Sequence, residues 1–273
     1  MSMIQAVIRL PWLLILISGV SLAGATVTDD TGREVSLAQP ARRIVTLAPH
    51  ATELLLTLGL ESRLVAVSEF FDYPPAIDNV PRLSSLGGID RERLLTLNPD
   101  LVIAWASGNR WSDIQWLEDT GIPVYLSEPE SLDEIAVSLA KLGRLAGTPQ
   151  RGEQAAKQFL QQLDRSCAHR KNQPPINTYY EIWPTPPMTI GARHWLNKVL
   201  SKAALRNIFA DLPRGVVVIS RESLLARDHD LVIKTVARGE KPSAGKRVVM
   251  ADPVLGRPGP RILEGLERLC VEL

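Results

Sequence analysis

Apolar and polar positions follow two recurring patterns along this chain. Short runs that are apolar throughout are typical of strands buried on both faces, whereas apolar residues three to four positions apart are typical of amphipathic helices. Up to residue 149 the patterns predict strands over 43–48, 63–70, 100–106 and 122–128, and helices over 49–60, 90–98, 111–121 and 131–147. Strands that alternate with helices in this way predict an α/β fold built on a mainly parallel sheet.

The pattern changes between Gln150 and Lys171, where the chain is rich in Gln, Ala and charged residues. This segment has the length of about six helical turns at ~3.6 residues per turn, and a proline just ahead of it suits a helix start. The sequence "NQPP" at 172–175 ends it. A second alternating block follows, with strands predicted over 176–183, 230–236 and 246–253 and helices over 191–209, 220–228 and 260–273.

One stretch of the first block recurs in the second. Residues 91–106, "RERLLTLNPDLVIAWA", share eight of sixteen positions with residues 221–236, "RESLLARDHDLVIKTV". Generic helix–strand units share Leu and Val, but they do not readily share the Arg-Glu start and the Asp-Leu-Val-Ile junction in one register. We therefore expect two similar α/β lobes, 26–149 and 172–273, joined by a helix over 150–171, with a cleft between them.

The first 25 residues predict a targeting segment. The apolar run "LPWLLILISGVSLAGA" ends in a small-x-small motif at Ala23 and Ala25, which is typical of a cleaved signal peptide. A membrane anchor is the alternative, but the apolar core is shorter than the ~20 residues that a span needs. We therefore expect export to the periplasm.

Charge and cysteine content narrow the function classes. Removing residues 1–25 takes away Arg9 and no acid, which leaves 30 basic and 30 acidic side chains and a formal charge of zero. A neutral chain does not have the charge signature of a nucleic-acid-binding protein. Cys167 and Cys270 would share an oxidising compartment, where they either pair or remain buried thiols. We expect a monomer without a cofactor.

Candidate binding residues follow the predicted strands, because ligands of parallel α/β sheets lie beyond the carboxyl ends of the strands. In "EFFDYPP", residues 69–75, we expect Phe70 to complete the core and Tyr73 to offer its ring to a ligand from a loop stiffened by two prolines. The other strand ends place His50, Trp105, Trp183 and the segment from Asp252 to Arg257 beside the cleft.

Several stretches together resemble a known family. The series "RIVTLAPHATELLLTLG", "VAVSEFFDYPP", "RERLLTLNPDLVIAW", the long helix, "PPMTIG", "NIFAD" and "SRESLLARDHDLVI" is similar to the periplasmic cobalamin-binding proteins of bacterial ABC importers. More broadly it resembles substrate-binding proteins that carry siderophores and haem. The resemblance covers residues 41–273 and implies two lobes joined by a rigid backbone helix, the class III arrangement, with no catalysis.

The resemblance implies roles for individual residues. It implies corrinoid contacts at Tyr73, Trp105, Asp252 and Arg257, with cobalamin or a related corrinoid as the ligand. The aromatic lining is thinner than in close cobalamin binders, because Leu86, Ile182 and Val216 stand where those proteins have aromatic residues. Trp183 follows Ile182 directly, and any disulfide from Cys270 must reach Cys167, because the partner position of the family holds Ala203.

The repeat also carries two equivalent carboxylates. Glu92 and Glu222 each lie at a predicted helix start, where the helix dipole favours a negative charge. Helix capping alone is one interpretation. The other, which the resemblance also implies, is that the two carboxylates dock onto arginines of a dimeric importer permease.

Metal binding and hydrolysis have weaker support in the sequence. The four histidines are scattered without metal-ligand spacing, so a bare metal ion is a minor alternative. Whether His50 ligates the metal of a bound chelate stays open. Ser138 and Lys141 match the S-x-x-K motif of exported hydrolases, but the companion Ser-Asp-Asn and Lys-Thr-Gly motifs are missing. Ser138 lies within a predicted amphipathic helix, so we expect it to pack between elements rather than to act as a nucleophile.

Overall fold

A computed structural model describes residues 24–71, 77–84, 87–235 and 246–273 of the chain. A parallel five-stranded sheet organises the first lobe, with its strands in the order β5-β4-β3-β6-β7. An antiparallel hairpin that the sequence analysis missed precedes it. These strands are β1 (Ala25–Thr28), β2 (Glu34–Leu37), β3 (Ile44–Thr46), β4 (Leu64–Ser68), β5 (Arg82–Leu83), β6 (Leu101–Trp105) and β7 (Val124–Ser127).

The helices of the first lobe follow the predicted order. Asp90 and Ser131 accept hydrogen bonds from the first turns of α2 and α4, which are the caps expected of Asp and Ser at helix starts. The helices are α1 (Pro49–Thr57), α2 (Arg91–Thr96), α3 (Trp111–Asp119) and α4 (Leu132–Leu145).

The second lobe contains a mixed sheet, in the order β11-β9-β8-β12-β13 with β10 also paired to β8. The β8–β12–β13 part is parallel, whereas β8, β9 and β11 pair antiparallel. The strands are β8 (Ile176–Pro184), β9 (Pro187–Ile190), β10 (Leu205–Asn207), β11 (Val216–Val218), β12 (Leu231–Lys234) and β13 (Arg247–Met250). The helices are α6 (Leu196–Lys202), α7 (Arg221–Leu225) and α8 (Ile262–Glu272).

The single helix predicted over 191–209 is wrong. Only Leu196–Lys202 is helical, and Leu205–Asn207 forms a short strand that pairs parallel with the start of β8. Ala204 between them takes a positive φ of 54°, which ends the helix and turns the chain into the sheet. Helical periodicity continued through this segment because both elements contribute residues to one core.

The helix that joins the lobes, α5 (Pro149–Arg165), starts close to its predicted position but ends six residues before Lys171. Cys167 has a left-handed φ of 56°, and a 3-10 turn over Ala168–Arg170 leads to β8. Against α4 the two backbones approach closely, because a Cβ on Gly152 would lie 3.0 Å from the Gly143 Cα. Glycine at both positions therefore lets the joining helix lie flat against the first lobe.

A disulfide attaches α5 to the second lobe. Cys167, just beyond the end of α5, is bonded to Cys270 on α8, with the two Cα atoms 5.7 Å apart. The two cysteines are therefore paired in this structure rather than present as separate buried thiols.

One large core runs through both lobes and the joining helix. Ala155, Phe159 and Leu163 of α5 pack into the same cluster as strand residues of both sheets, such as Ile103 and Ile233. Among the described residues, no helix combines the length and apolar character that a membrane span requires.

Candidate functional site

The carboxyl ends of β3, β6 and β7 bring Trp105 and His50 together. The two rings meet edge to face with centroids 5.6 Å apart. His50 is only 2% exposed, and its Nε2 lies 3.0 Å from the Ser127 hydroxyl oxygen at the end of β7. The histidine therefore supports the tryptophan from within the lobe, and Ser127 is a supporting residue that the sequence analysis did not single out.

Burial decides the charge of His50. Removal from water lowers the pKa of the imidazole to about 4, because the charged form loses its hydration. His50 is thus neutral at ordinary pH. Its Nε2 lies beside the buried Ser127 hydroxyl. The imidazole ring would therefore have to rotate away from Ser127 before Nε2 could bind the metal of a ligand.

Trp105 is half-buried at the last position of β6. Its backbone N–H donates to Asn109 Oδ1 at 2.6 Å, which folds the following loop back onto the strand end. The indole Nε1 is buried and has no hydrogen-bond partner among the described residues. A half-buried indole at a strand end can offer the accessible part of its ring to a planar ligand.

The "EFFDYPP" stretch departs from one prediction. β4 ends at Ser68, and a turn in which Phe71 N–H donates to Ser68 O reverses which ring faces inward. Phe71 is therefore in the core at 2% exposure, whereas Phe70 is 47% exposed, so the core assignment of Phe70 is wrong. Tyr73 lies outside the described residues, as does Leu86, and its ligand contact stays a prediction.

On the second lobe, Asp252 is engaged by its own neighbours. One carboxylate oxygen accepts from Val254 N–H at 3.0 Å and caps the 3-10 turn Pro253–Gly256, and the other pairs with Arg268 of α8. The side chain therefore shapes the loop that carries Arg257. Its direct contact with a ligand stays a prediction.

Arg257 crosses to the first lobe. Its Nη1 lies 3.7 Å from Glu53 Oε1 on α1, an ion-pair distance longer than a hydrogen bond. Gly259 makes the close approach between lobes feasible, because a Cβ there would lie 2.4 Å from Glu53 Oε2 and 3.3 Å from the His50 Cα. The sequence analysis did not predict Glu53. A single acid among the leucines of α1 forms no recognisable motif.

Glu53 is a buried carboxylate with an altered proton affinity. Only 2% of the residue is exposed. Burial raises its pKa to about 7, the largest influence, and the positive charges of Arg257 and Arg261 partly oppose the rise. Glu53, at the contact between the lobes, therefore changes charge close to neutral pH.

Trp183 lies near the tip of the β8–β9 hairpin and is 41% exposed. Its indole N–H donates to Thr185 O at 3.0 Å, which fixes the ring against the hairpin turn. Ile182, beside it, is partly buried against the main core, and Val216 is exposed on β11. Among the described aromatic side chains of this lobe, Trp183 is thus the most exposed.

Glu92 and Glu222 occupy equivalent places in the two lobes. Each lies in the first turn of a short helix, α2 or α7, and both side chains are exposed. The pKa of Glu222 is lowered, first by a hydrogen bond from its own backbone N–H and then by the Ser220 hydroxyl. Both therefore offer negative charge to a partner.

The S-x-x-K pair has a structural role. Ser138 is fully buried on α4, and its Oγ lies 3.2 Å from Asp30 Oδ2 in the turn after β1. Lys141 Nζ lies 3.2 Å from the other oxygen of the same carboxylate. Both side chains thus hold the N-terminal hairpin, as expected for packing. Within the described residues no three His, Cys, Asp or Glu side chains are grouped to hold a metal ion.

Two α/β lobes on one joining helix, with aromatic and charged side chains near the strand ends, are typical of a ligand-binding protein. The family model described as "Periplasmic binding protein" matches residues 44–257. The chain belongs to this family.

Particular relatives are also similar over most of the chain. The "Vitamin B12-binding protein" of Vibrio cholerae serotype O1 is 36% identical over 248 residues, covering 86% of this chain and 90% of the relative. The crystal structure of the periplasmic vitamin B12 binding protein of Vibrio cholerae superposes with a TM-score of 0.75 at 34% identity, covering 85% of this chain and 96% of that one. A periplasmic heme-binding protein from Pseudomonas aeruginosa gives 0.73 at 27% identity, covering 85% and 92%.

Proposed function

We propose that this protein captures cobalamin or a related corrinoid in the periplasm and delivers it to an ABC importer. The observation that carries the proposal is the half-buried Trp105 indole at the end of β6, which His50 contacts edge to face, in a lobe whose α1 residue Glu53 pairs with Arg257 of the other lobe. The similarity to vitamin B12-binding proteins over most of both chains supports the choice of ligand class. The protein performs no catalysis.

In the proposed binding site, both lobes contribute side chains that contact the ligand. Trp105 and Tyr73 stack against the flat corrin from the first lobe. Trp183 contributes from the second lobe, where Asp252 shapes the loop that presents Arg257 to the polar side chains of the ligand. His50 acts from beneath Trp105 and holds its orientation.

Ligand identity is tested by incubating the purified protein with cyanocobalamin, haem and a ferric siderophore, desalting it and recording the absorption spectrum. We expect the cyanocobalamin spectrum to remain with the protein. Retention of haem or siderophore alone would support the second candidate, an iron-chelate carrier, which the similarity to a heme-binding structure and the thinner aromatic lining favour. Retention of none would contradict both.

The assignment of the cleft is tested at Trp105. Trp105→Ala should weaken cyanocobalamin binding by about five- to a hundredfold, because buried aromatic anchors typically contribute ~1–3 kcal/mol. Trp111→Ala is the matched control, since that indole is 54% exposed on α3. Equal affinities for the two variants would place the ligand elsewhere.

The docking role belongs to Glu92 and Glu222. One carboxylate on each lobe fits a two-fold symmetric permease that carries paired arginines, and docking would position the cleft over the transport pathway. The double variant Glu92→Ala with Glu222→Ala should keep ligand affinity and lose uptake in cells. Glu61→Ala with Glu267→Ala, two other exposed acids, should leave uptake unchanged. Normal transport by the Glu92→Ala, Glu222→Ala variant would show that both residues act only in helix capping.

A further inference from the structure

The contact between the lobes places a buried acid next to a proposed ligand-binding arginine. Glu53 belongs to α1 of the first lobe, and Arg257 belongs to the loop before α8 of the second. Their side chains are 1% and 21% exposed, so Arg257 reaches the surface while Glu53 lies behind it. An anionic group that binds Arg257 from the cleft would therefore approach the Glu53 carboxylate.

Among the described residues, three charged groups act on Glu53, and one of them is an acid. The second lobe supplies Arg257, Arg261 and the acid Glu264 at the start of α8, and α1 itself supplies His50, which is neutral. Glu264 adds negative charge and forms its own pairs with Arg261 and Arg268. A second anion at Arg257 would compete with Glu53 for the same cation in a poorly hydrated space, where like charges interact strongly.

We propose that Glu53 couples the capture of an anionic chelate at Arg257 to the uptake of a proton. Protonation removes the competing charge, so the complex with an anion is favoured when Glu53 is neutral. The inference rests on the proposed function, and it specifies the ligand as a corrinoid that retains the phosphodiester of its nucleotide loop. A corrinoid without that phosphodiester makes no such demand on Glu53.

Because Glu53 is buried, the coupling between ligand binding and proton uptake falls near neutral pH. Because its pKa in the free protein is raised to about 7, near-neutral solutions contain both protonation states. Binding that requires the neutral form weakens as pH rises, by at most about tenfold per pH unit for one linked proton. At pH 7 we expect the uptake of about half a proton per ligand bound.

Calorimetric titration of the intact mature protein tests the inference. Cyanocobalamin, which carries the phosphodiester, and cobinamide, which lacks it, are titrated at pH 7 in two buffers of different ionisation enthalpy, and their Kd is measured from pH 5.5 to 8.5. For wild type we expect proton uptake with cyanocobalamin and a Kd about thirtyfold higher at pH 8.5 than at pH 6. With cobinamide we expect neither.

Glu53→Gln keeps the shape of the side chain and removes its titration, so cyanocobalamin binding should lose both the proton uptake and the pH dependence. Asp113→Asn is the matched control, because it alters another buried carboxylate–arginine pair, with Arg91, inside the first lobe. It should behave as wild type. If Glu53→Gln does not fold, the wild-type comparison of the two corrinoids still decides the question.

The outcomes distinguish a failure of the proposed Glu53 role from a failure of the proposed function. Tight cyanocobalamin binding without proton uptake, or equal uptake with cobinamide, would overturn the role of Glu53 and leave the proposed function intact. Proton uptake that persists in Glu53→Gln would assign it to another group and also overturn the role. Failure to bind either corrinoid would overturn the proposed function, and the inference with it.

Discussion

The two copies of the repeated helix are held by different means. In the first lobe, Asp113 is buried and accepts hydrogen bonds from Ile89 N–H and from the Arg91 guanidinium, both at 3.1 Å. Arg91 also lies over the Trp116 ring, 4.9 Å from its centroid. The start of α2 is thus fixed to α3 by a buried carboxylate.

In the second lobe the equivalent helix is held by its C-terminal side. Arg227, just after α7, forms two hydrogen bonds to Asp211 at 2.5 and 2.8 Å and lies 4.5 Å from the centroid of the Phe209 ring. The pKa of Asp211 is lowered, first of all by its hydrogen bond with Arg227. This carboxylate is exposed, and none of the residues of α7 is buried.

The difference shows that two helices with similar sequences can be fixed to their lobes by different contacts. Leu95 and Leu225 are equivalent positions, yet they are 50% and 78% exposed. The anchoring partners Asp113 and Asp211 lie outside the repeated stretch, one on the following helix and one before the repeat begins. Helix α2 is therefore anchored by a buried carboxylate, whereas the described acid that anchors the end of α7 is exposed.

The joining helix shows the same contrast. It meets the first lobe through the glycine contact between α4 and α5, and the second lobe through the Cys167–Cys270 disulfide. Removing each attachment in turn measures how unequally the lobes are secured.

The largest expected effect comes from Cys167→Ser with Cys270→Ser. The bond closes a loop with a sequence separation of 103, and losing a cross-link over a loop of that length costs about 2–5 kcal/mol of unfolding free energy. Urea unfolding measures it. Wild type kept under reducing conditions should match the variant, and an unchanged midpoint would show that packing alone secures the second lobe.

The direct contact between lobes should make stability depend on pH. Because folding raises the pKa of Glu53 from 4.5 to about 7, the folded state binds more protons than the unfolded state in this window, and stability falls as pH rises through it. Glu53→Gln should therefore gain on wild type by up to about 3 kcal/mol between pH 5 and pH 8.5. Urea unfolding across that range checks it, and a constant difference would contradict it.

The attachment to the first lobe is tested by Gly152→Val. The added side chain would meet backbone atoms of α4, with Leu139 O 2.9 Å from the Cβ position, so relaxation must separate the helices. We expect a loss of ~1–3 kcal/mol, as for other overpacked positions. Gly215→Ala is the control, since nothing lies within 4 Å of its Cβ position. Equal thermal midpoints for the two variants would contradict the close approach.

The smallest effects compare the two anchors. Asp113→Ala leaves the buried Ile89 N–H without its acceptor and should cost about 1–2 kcal/mol. Asp211→Ala removes an exposed partner and should shift the thermal midpoint less. Hydrogen exchange would locate the change at residues 87–96 for the first variant and at 221–228 for the second. A larger effect from Asp211→Ala would reverse the comparison.

Local pattern determined much of this protein. The apolar strands and amphipathic helices of the first lobe, the repeat and the strand-end position of Trp105 follow from periodicity and from the rule that ligands meet parallel sheets at the carboxyl ends of the strands. Family resemblance, carried by stretches such as "NPDLVIAW", indicates the two-lobed fold and the class of ligand-binding protein.

Tertiary structure alone decided which side chains meet. Phe71 entered the core in place of Phe70 because the strand ended early. Residues 191–209 divided between a helix and a strand because a non-local pairing with β8 outcompeted helix continuation. Glu53 and Arg257, about two hundred positions apart, became partners only when the lobes packed together. Periodicity reports which face of an element is buried, whereas the partner across that face depends on packing between distant segments.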